Sequence, residues 1–268
     1  MPELDAALLE SAVREAGVIA RKFATGSAKR WNKTDGSPVT EADLAIDRLL
    51  NERLCGARPD YGWLSEETED APARLSAKRV FVVDPIDGTV AFVKGKPHFA
   101  ICAAVVEEGT PVAGAVYNPL TEECFIAAKG AGARLNGVLT HANHRETLEG
   151  CRMLASKTTL QNPCWGDAPW PPMTVETPNS IAYRIALVAC GAFDAAITLA
   201  ATHDWDLAAA DVIVREAGGR ISSLQGRPLH YNQAVPIQPA VVAAGPALHA
   251  ALLSRTGGIG THMPKDDS

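Results

Sequence analysis

The segment from Arg79 to Ala127 constrains the fold more tightly than any other part of this sequence. It opens with the apolar run Val80-Phe-Val-Val and continues with predicted strands near Phe99 to Val106, Val112 to Tyr117 and Glu123 to Ala127. The turns between the later strands, such as Glu-Glu-Gly-Thr, are too short for the crossover helix that parallel neighbours need. The sequence therefore predicts an antiparallel sheet in this segment.

Two helices are predicted before this sheet. Apolar residues recur at helical spacing from Leu4 to Phe23, and we expect this helix to end at Gly26. Thr40 is the expected N-cap of the second helix, because Asp43 stands three residues later and can complete a capping box.

Helices and strands alternate after the Pro-rich stretch from Gln161 to Pro178, and the tail from Pro264 to Ser268 is expected to be frayed. The predicted elements are a helix from Ser180 to Cys190, a strand from Phe193 to Leu199, a helix from Asp206 to Ala217, strands around Ile221 and Val241, and a helix from Pro246 to Leu253. The whole pattern predicts the α+β class. The Pro-rich stretch is the best domain boundary, which gives domains at residues 1–160 and 161–268.

Charge and cysteine content exclude several kinds of partner. Lys and Arg number 25 against 31 Asp and Glu, a net charge of −6, and the absence of a basic run argues against polymeric nucleic acid. No apolar run approaches the roughly 18 residues of a membrane span, so a membrane is not an expected partner. The six cysteines form no Cys-x-x-Cys pair, which predicts reduced thiols and a cytoplasmic protein.

The most informative motif is Asp84-Pro-Ile-Asp87-Gly88-Thr89, which directly follows the apolar strand of the Arg79 segment. Two carboxylates three residues apart on a turn constrained by Pro and Gly converge on one point, and Asp-Gly-Thr can open a helical turn whose N–H groups suit an anion. The alternative interpretation is an ordinary surface turn, since Asp, Pro and Gly are the commonest turn residues.

Two further acidic segments bear on the same question: Leu64-Ser-Glu66-Glu67 and Asp204-Trp205-Asp206. Taken singly, the glutamates fit a solvated loop, and Asp206 fits a first-turn residue favoured by the helix dipole. Taken together, carboxylates without His or Cys among them match the oxygen ligands that Mg²⁺ requires and argue against zinc.

The three acidic segments occur in the order and rough spacing of the inositol monophosphatase family, which this chain resembles from its first helix almost to its C-terminus. The matching pieces are Trp63-Leu-Ser-Glu66-Glu67, Asp84-Pro-Ile-Asp87-Gly88-Thr89, and Trp205-Asp206-Leu-Ala-Ala-Ala-Asp-Val-Ile-Val-Arg-Glu216-Ala-Gly-Gly219. The resemblance implies a layered αβαβα sugar-phosphatase fold and a Mg²⁺-dependent phosphomonoesterase that uses water as its nucleophile.

The resemblance also implies a set of metal ligands. Glu66, Asp84 and the backbone carbonyl of Ile86 match the ligands of a first Mg²⁺, and Asp84, Asp87 and Asp206 match those of a second, so that Asp84 bridges the two ions. A third, weaker ion in the family also depends on the carboxylate that matches Glu66.

Further positions match the family's catalytic and substrate-binding residues. Thr89 resembles a threonine that pairs with an acid of the second helix, here Asp43, to orient the attacking water. Gly88 and Thr89 are expected to hold the phosphate through backbone N–H groups. Lys33 matches a lysine near the metal site.

The substrate is the point on which the sequence departs from inositol-hydrolysing relatives. These carry an acid seven residues before the second-metal aspartate, where this chain has Leu199, which cannot accept a hydrogen bond from an inositol hydroxyl. Arg184 falls near a basic residue of relatives that cleave 3'(2'),5'-bisphosphate nucleotides, and a guanidinium suits a second phosphate. A solvated helix face is the other interpretation of Arg184. Histidinol phosphatases share the metal motifs as well.

Two expectations concern assembly and role. The family commonly forms homodimers, so a homodimer is expected here. A hypothesis of another class is a regulatory binding protein whose phosphatase site is incidental, because some members of the family associate with transcription machinery.

Overall fold

The computed structural model describes residues 1–24, 28–33, 36, 38–165 and 168–255. The predicted helix end at Gly26 and the predicted frayed tail lie outside these residues. Within the described ranges the helices are α1 (Pro2–Phe23), α2 (Glu41–Ala57), α3 (Thr89–Val93), α4 (Lys157–Leu160), α5 (Ile181–Ala189), α6 (Asp204–Glu216) and α7 (Pro246–Arg255), with single 3₁₀ turns at Pro72–Ser76 and Pro163–Trp165. None of these helices is long and apolar enough to cross a membrane.

The strands form two large sheets and two small ribbons. In chain order they are β1 (Arg30–Asn32), β2 (Pro38–Thr40), β3 (Gly62–Ser65), β4 (Arg79–Asp87), β5 (Ala100–Glu107), β6 (Thr110–Asn118), β7 (Glu123–Ala128), β8 (Gly132–Leu135), β9 (Val138–Thr140), β10 (Arg152–Leu154), β11 (Thr174–Glu176), β12 (Ala195–Thr198), β13 (Thr202–His203), β14 (Arg220–Ser223), β15 (Ile237–Gln238) and β16 (Val241–Ala244). The ribbons pair β1 with β2 and β13 with β15.

The first sheet has seven strands in the order β3-β4-β5-β6-β7-β8-β9. Strands β4 to β7 pair antiparallel, which confirms the prediction from the short turns of the Arg79 segment. Strand β3 was not predicted, and it pairs parallel with β4 because the connection between them, which contains the 3₁₀ turn Pro72–Ser76, carries the chain back to the same end of the sheet.

The second sheet has five strands in the order β11-β10-β12-β16-β14 and mixes parallel with antiparallel pairs. Strand β10 belongs to this sheet although it precedes the predicted domain boundary at residue 160. The division into two domains stays a prediction.

Three apolar clusters stack these elements into alternating layers. One cluster joins α1 and α2 to a face of the first sheet, with Leu9, Ile46 and Phe81 fully buried. A second joins the other face of that sheet to α5 and α6 and then to the second sheet. A third joins the far face of the second sheet to α7. The order helix, sheet, helix, sheet, helix confirms the predicted α+β class and the αβαβα layering.

Close packing of α6 on the first sheet fixes the position of the end of that helix that carries Asp206. A Cβ atom added at Gly114 of β6 would stand 2.6 Å from Val212 Cγ1 and 2.7 Å from the Ala209 carbonyl oxygen. Only glycine therefore permits this approach, and larger residues would push α6 away from the sheet. Because Asp206 lies one turn before Ala209, this contact also sets the position of its carboxylate.

The second helix begins as predicted. The Thr40 hydroxyl accepts hydrogen bonds from the N–H groups of Ala42 and Asp43, and Asp43 Oδ2 accepts from the Thr40 N–H at 2.9 Å. A reciprocal cap of this kind is worth about 1 kcal/mol of helix stability.

The cysteines are free thiols, as predicted. Cys102, Cys124 and Cys151 are buried, whereas Cys55, Cys164 and Cys190 are half-buried.

Candidate metal centre

A β-bulge, rather than the predicted turn, brings Asp84 and Asp87 together. Strand β4 continues through Asp87, with Asp84 opposite Cys102 and Asp87 opposite Ala100 on β5, so β4 carries one extra residue between the two aspartates. In a regular strand, residues three apart point to opposite faces of the sheet. The extra residue corrects this alternation and places both carboxylates on one side.

Asp206 completes the group from a different element. It is the third residue of α6, and its Oδ2 accepts the N–H of the N-cap residue His203 at 2.9 Å. One carboxylate oxygen from each of Asp84, Asp87 and Asp206 lies within 4.8 Å of the others. Three of the sequence-predicted metal ligands are therefore brought together as expected.

Each aspartate of this group is held by hydrogen-bond donors that carry no charge. Asp84 Oδ1 accepts the Ile86 N–H at 2.9 Å, and Asp87 Oδ2 accepts the Ser180 hydroxyl at 2.5 Å and the Ala182 N–H at 2.7 Å. The α5 N-terminus thus orients the Asp87 carboxylate. The sequence predicted a helix from Ser180, but its contact with Asp87 spans more than ninety residues and leaves no local signal.

Burial raises the pKa of each of these carboxyl groups. For Asp84, loss of hydration and then the charges of Glu66, Asp87 and Asp206 hold the pKa well above its usual range. Loss of hydration also raises the pKa of Asp87 to about 6, although the Ser180 and Ala182 donors oppose the shift. For Asp206, burial and then the Asp87 charge raise the pKa in the same way.

The donor set fits a hard divalent cation. Like charges in this group repel, and the hydrogen-bond donors that the described residues supply to the carboxylates are neutral. The nearby charge of Arg184 offsets only part of the rise in the pKa of Asp87. Clustered carboxylate oxygens, with a backbone carbonyl at Ile86 nearby, are the ligands that Mg²⁺ takes. The three aspartates could therefore hold a metal ion.

Glu66, the fourth predicted carboxylate ligand, lies beside the group and is bound by a lysine. Lys33 Nζ stands 2.8 Å from Glu66 Oε1 and 2.7 Å from Glu67 Oε1, and this pair of ion pairs outweighs burial and raises the lysine pKa to about 12. Burial raises the pKa of Glu67 to about 7. Lys33 thus contacts Glu66, one of the predicted ligands, and its contact with Glu67 was not predicted from the sequence.

The predicted hydrogen bond between Thr89 and Asp43 is not formed. The Thr89 hydroxyl donates instead to the Ile86 carbonyl at 3.1 Å, a partner one helical turn away. Asp43 turns its Oδ2 to Thr40, as the capping box requires, and its buried Oδ1 has no hydrogen-bond partner among the described residues. Burial raises the pKa of Asp43 to about 6.

Gly88 occupies a position that only glycine fits. Its φ of 94° lies in the left-handed region, and an added Cβ would stand 2.9 Å from the His98 carbonyl oxygen and 3.1 Å from the Ser180 nitrogen. Gly88 lies between the end of β4 and the start of α3, so its conformation sets the direction in which the Thr89 N–H points.

Replacing Gly88 with alanine is expected to lower the stability by about 1–3 kcal/mol and to disturb Asp87 at the same time. Thermal unfolding and a phosphate-release assay check both effects. Gly56→Ala is the matched control, because this α2 glycine has no positive φ and an added Cβ would meet nothing within 4 Å. An equal response of the two variants would contradict the role assigned to Gly88.

Arg184 lies against the first turn of its own helix. Its Nε donates to the Ser180 carbonyl at 3.2 Å and its Nη2 to the Asn179 carbonyl at 3.1 Å. The residue is half-buried, and it is close enough to Asp87 for its positive charge to oppose the rise in the pKa of that carboxyl group. Neither interpretation from the sequence describes this arrangement fully: the guanidinium is not on a solvated face, and two of its nitrogens are occupied by backbone carbonyls.

Leu199 follows β12, and its half-buried side chain packs against the third apolar cluster. The chain therefore presents no carboxylate at the position from which some relatives contact an inositol hydroxyl.

Comparison with known proteins decides the family. The sequence profile of the inositol monophosphatase family matches residues 2–259. The chain belongs to this family. A solved structure described as a Thermotoga maritima IMPase superimposes with a TM-score of 0.80 at 26% identity, covering 96% of this chain and 97% of that one. The inositol monophosphatase fold is thereby confirmed.

Curated relatives carry several activities. The chain is 34% identical to an inositol-1-monophosphatase of Rhizobium meliloti (strain 1021), over 70% of this chain and 73% of that protein. It is 34% identical to a histidinol-phosphatase of Mycobacterium tuberculosis, over 83% and 86%. It is 29% identical to the 3'(2'),5'-bisphosphate nucleotidase CysQ of Aggregatibacter actinomycetemcomitans, over 87% and 90%. This member of the inositol monophosphatase family is a phosphoric monoester hydrolase whose substrate the relatives leave open.

Proposed function

We propose that this protein hydrolyses a small phosphorylated metabolite, a phosphate monoester, with water as the nucleophile and Mg²⁺ as the cofactor. The observation that carries the proposal is the group formed by Asp84, Asp87 and Asp206, of which the first two are buried and the third is half-buried, and whose carboxylates lie within 4.8 Å of one another in a chain of this family. Loss of hydration and mutual repulsion raise the pKa values of Asp84 and Asp206, and a divalent cation would offset this repulsion.

The ligand assignment follows the family. Asp84, Asp87 and Asp206 would hold one ion, Asp84 with Glu66 and the Ile86 carbonyl a second, and Glu66 would contribute to a third, weaker one. Glu66 uses Oε1 for Lys33, which leaves Oε2 for an ion. Bound Mg²⁺ supplies a water of lowered pKa and positive charge beside the phosphoryl group.

The chain's own groups would position the reactants. The unpartnered Asp43 Oδ1 is an acceptor for a water proton or for the Thr89 hydroxyl, and a buried acceptor without a donor costs about 1–3 kcal/mol. The N–H groups of Gly88 and Thr89 would bind phosphate oxygens. Lys33, held by Glu66 and Glu67, places a positive charge at the same edge of the site.

A phosphate-release panel tests this proposal. Inositol 1-phosphate, histidinol phosphate and adenosine 3',5'-bisphosphate are compared with and without Mg²⁺. We expect Mg²⁺-dependent release, with inositol 1-phosphate the poorest substrate because Leu199 offers no hydrogen-bond acceptor. Failure of all three compounds with Mg²⁺ present would contradict the proposed activity on these monoesters.

A second candidate is a bisphosphate nucleotidase in which Arg184 contacts the second phosphate. One guanidinium nitrogen, Nη1, is not used in the two carbonyl contacts, and 29% identity to a CysQ nucleotidase is consistent with this substrate.

Arg184→Ala separates this role from a positioning role. Because Arg184 holds Asn179 and Ser180, and Ser180 holds Asp87, a positioning role predicts that the variant changes the Mg²⁺ requirement equally for every substrate. Mg²⁺-induced thermal stabilisation and KM values for mono- and bisphosphates are the measurements. A rise in KM confined to adenosine 3',5'-bisphosphate, with unchanged Mg²⁺ dependence, would instead assign Arg184 to substrate binding.

Three finer predictions accompany the proposal. The six free thiols support a cytoplasmic location. A homodimer is expected from the family. The regulatory role remains the hypothesis from another class, and a metal-binding variant that lost activity but kept a cellular phenotype would support it.

A further inference from the structure

A second polar cavity lies between β14 and α7, away from the acidic group. It has a volume of about 260 Å³, and its polar lining comes from Arg215, Arg220, Ser222 and His249. Arg215 is nine residues beyond Asp206 on α6, which at 1.5 Å per residue separates the two ends by about 14 Å. The cavity therefore belongs to the opposite end of α6 from the metal centre.

The side chains around this cavity carry positive charge without an equal negative charge. Arg215 is paired with Asp211, a buried carboxylate that also accepts the Tyr231 hydroxyl at 2.8 Å and so is fully used. Arg220 makes no salt bridge and no side-chain hydrogen bond to any residue within the described ranges. No Asp or Glu lines the cavity. Arg220, an exposed residue that lines the cavity, thus brings a positive charge that no described residue pairs, in a chain whose net charge is −6.

The inner wall of the cavity is polar and buried. Ser222 and His249 are 5% and 6% exposed, and Ser222 Oγ lies 2.9 Å from His249 Nε2. The Ser222 hydroxyl donates to the Ser223 carbonyl, so it accepts the proton of His249 Nε2. Burial, and then the charges of Arg220 and Arg215, lower the pKa of His249 to about 4.

We propose that this cavity is a binding site for a small tetrahedral oxyanion such as inorganic phosphate, recognised by Arg220. A guanidinium presents paired N–H donors that match two oxygens of such an anion, and the bond is strengthened by charge. The volume exceeds that of phosphate, so the anion can enter with water. The site stands independently of the phosphatase activity and would bind product or buffer phosphate at a distance from the metal centre.

Titration calorimetry of the full-length, Mg²⁺-loaded protein with inorganic phosphate tests this. Wild type is expected to show two classes of site. Arg220→Ala should weaken one class by about tenfold or more while leaving kcat unchanged, and Asp87→Asn should remove the other. Arg227→Ala is the matched control, since this arginine, exposed like Arg220, follows the same strand but does not line the cavity.

The outcomes separate cleanly. Two classes of phosphate site in Arg227→Ala and one class in Arg220→Ala would support the proposed cavity site. A single class of phosphate site in wild type that disappears with Asp87→Asn would overturn the proposal. Equal weakening of phosphate binding in the two arginine variants would also overturn it, because that result reports only the loss of a surface charge. If Asp87→Asn keeps both classes while Arg220→Ala loses one, the anion site stands and the proposed metal centre fails.

Discussion

Asp87→Asn is expected to reduce phosphatase activity at saturating Mg²⁺ by at least about a thousandfold, because a bound metal contributes several kcal/mol to catalysis and each 1.36 kcal/mol is tenfold in rate. The Ser180 hydroxyl and the Ala182 N–H both donate to Asp87 Oδ2. An asparagine must therefore keep its carbonyl oxygen toward these donors. Its NH₂ group then faces Asp84 and Asp206, where it repels a cation.

The same variant is expected to fold at least as stably as wild type without metal. The raised pKa values of Asp84 and Asp87 show that their charges are costly in the metal-free protein, so removing one charge relieves repulsion. Unfolding temperatures with EDTA and with Mg²⁺ measure this, and we expect the Mg²⁺-induced increase to be lost. Asp60→Asn, the same change at an exposed residue, is the control. Full activity in Asp87→Asn, or loss of its fold, would contradict the assignment.

Mg²⁺ is expected to stabilise the protein far more at pH 8 than at pH 5. Aspartate ordinarily loses its proton near pH 4, but burial raises the pKa of Asp87 to about 6, and burial with the neighbouring charges also raises the pKa values of Asp84 and Asp206. Metal must displace these protons. The apparent affinity for Mg²⁺ should therefore fall about tenfold per pH unit for each proton displaced as the pH is lowered through this range.

For the metal-free protein, the pH dependence of the stability has the opposite sign. Carboxyl groups with raised pKa values stabilise the folded state at acid pH, and this contribution is lost as the pH rises through about 6. Unfolding temperatures measured from pH 5 to pH 8, with EDTA and with excess Mg²⁺, should diverge as the pH increases. Curves that stay parallel over this range would mean that these aspartates do not bind the ion.

The local sequence predicted the parts of the site that depend on residues close together in the chain. Asp84 and Asp87 lie at the end of a strand that begins with an apolar run, and Thr40 with Asp43 forms the predicted cap, because strand and cap patterns depend on residues a few positions apart. The geometry that joins Asp84 and Asp87 was misjudged as a turn. A bulge is defined by the partner strand, whose register a single strand's sequence does not contain.

Contacts between distant segments account for what the sequence did not reveal. Ser180 reaches Asp87 across the interface of α5 with the first sheet, and Lys33 reaches Glu67 from the β1–β2 ribbon. The resemblance pairs Thr89 with Asp43, whereas the Ile86 carbonyl accepts the hydrogen bond of the Thr89 hydroxyl in this structure. Such choices depend on distances that only the folded chain defines.

Release of phosphate by the full-length protein as a function of Mg²⁺ concentration is the most direct test of the central claim. The enzyme is first stripped with EDTA and then titrated with Mg²⁺, using histidinol phosphate and adenosine 3',5'-bisphosphate in parallel. We expect no release without metal and a saturable return of activity in wild type that Asp87→Asn lacks. Undiminished phosphate release from the metal-free protein would contradict the assignment of Asp84, Asp87 and Asp206 as its catalytic metal ligands.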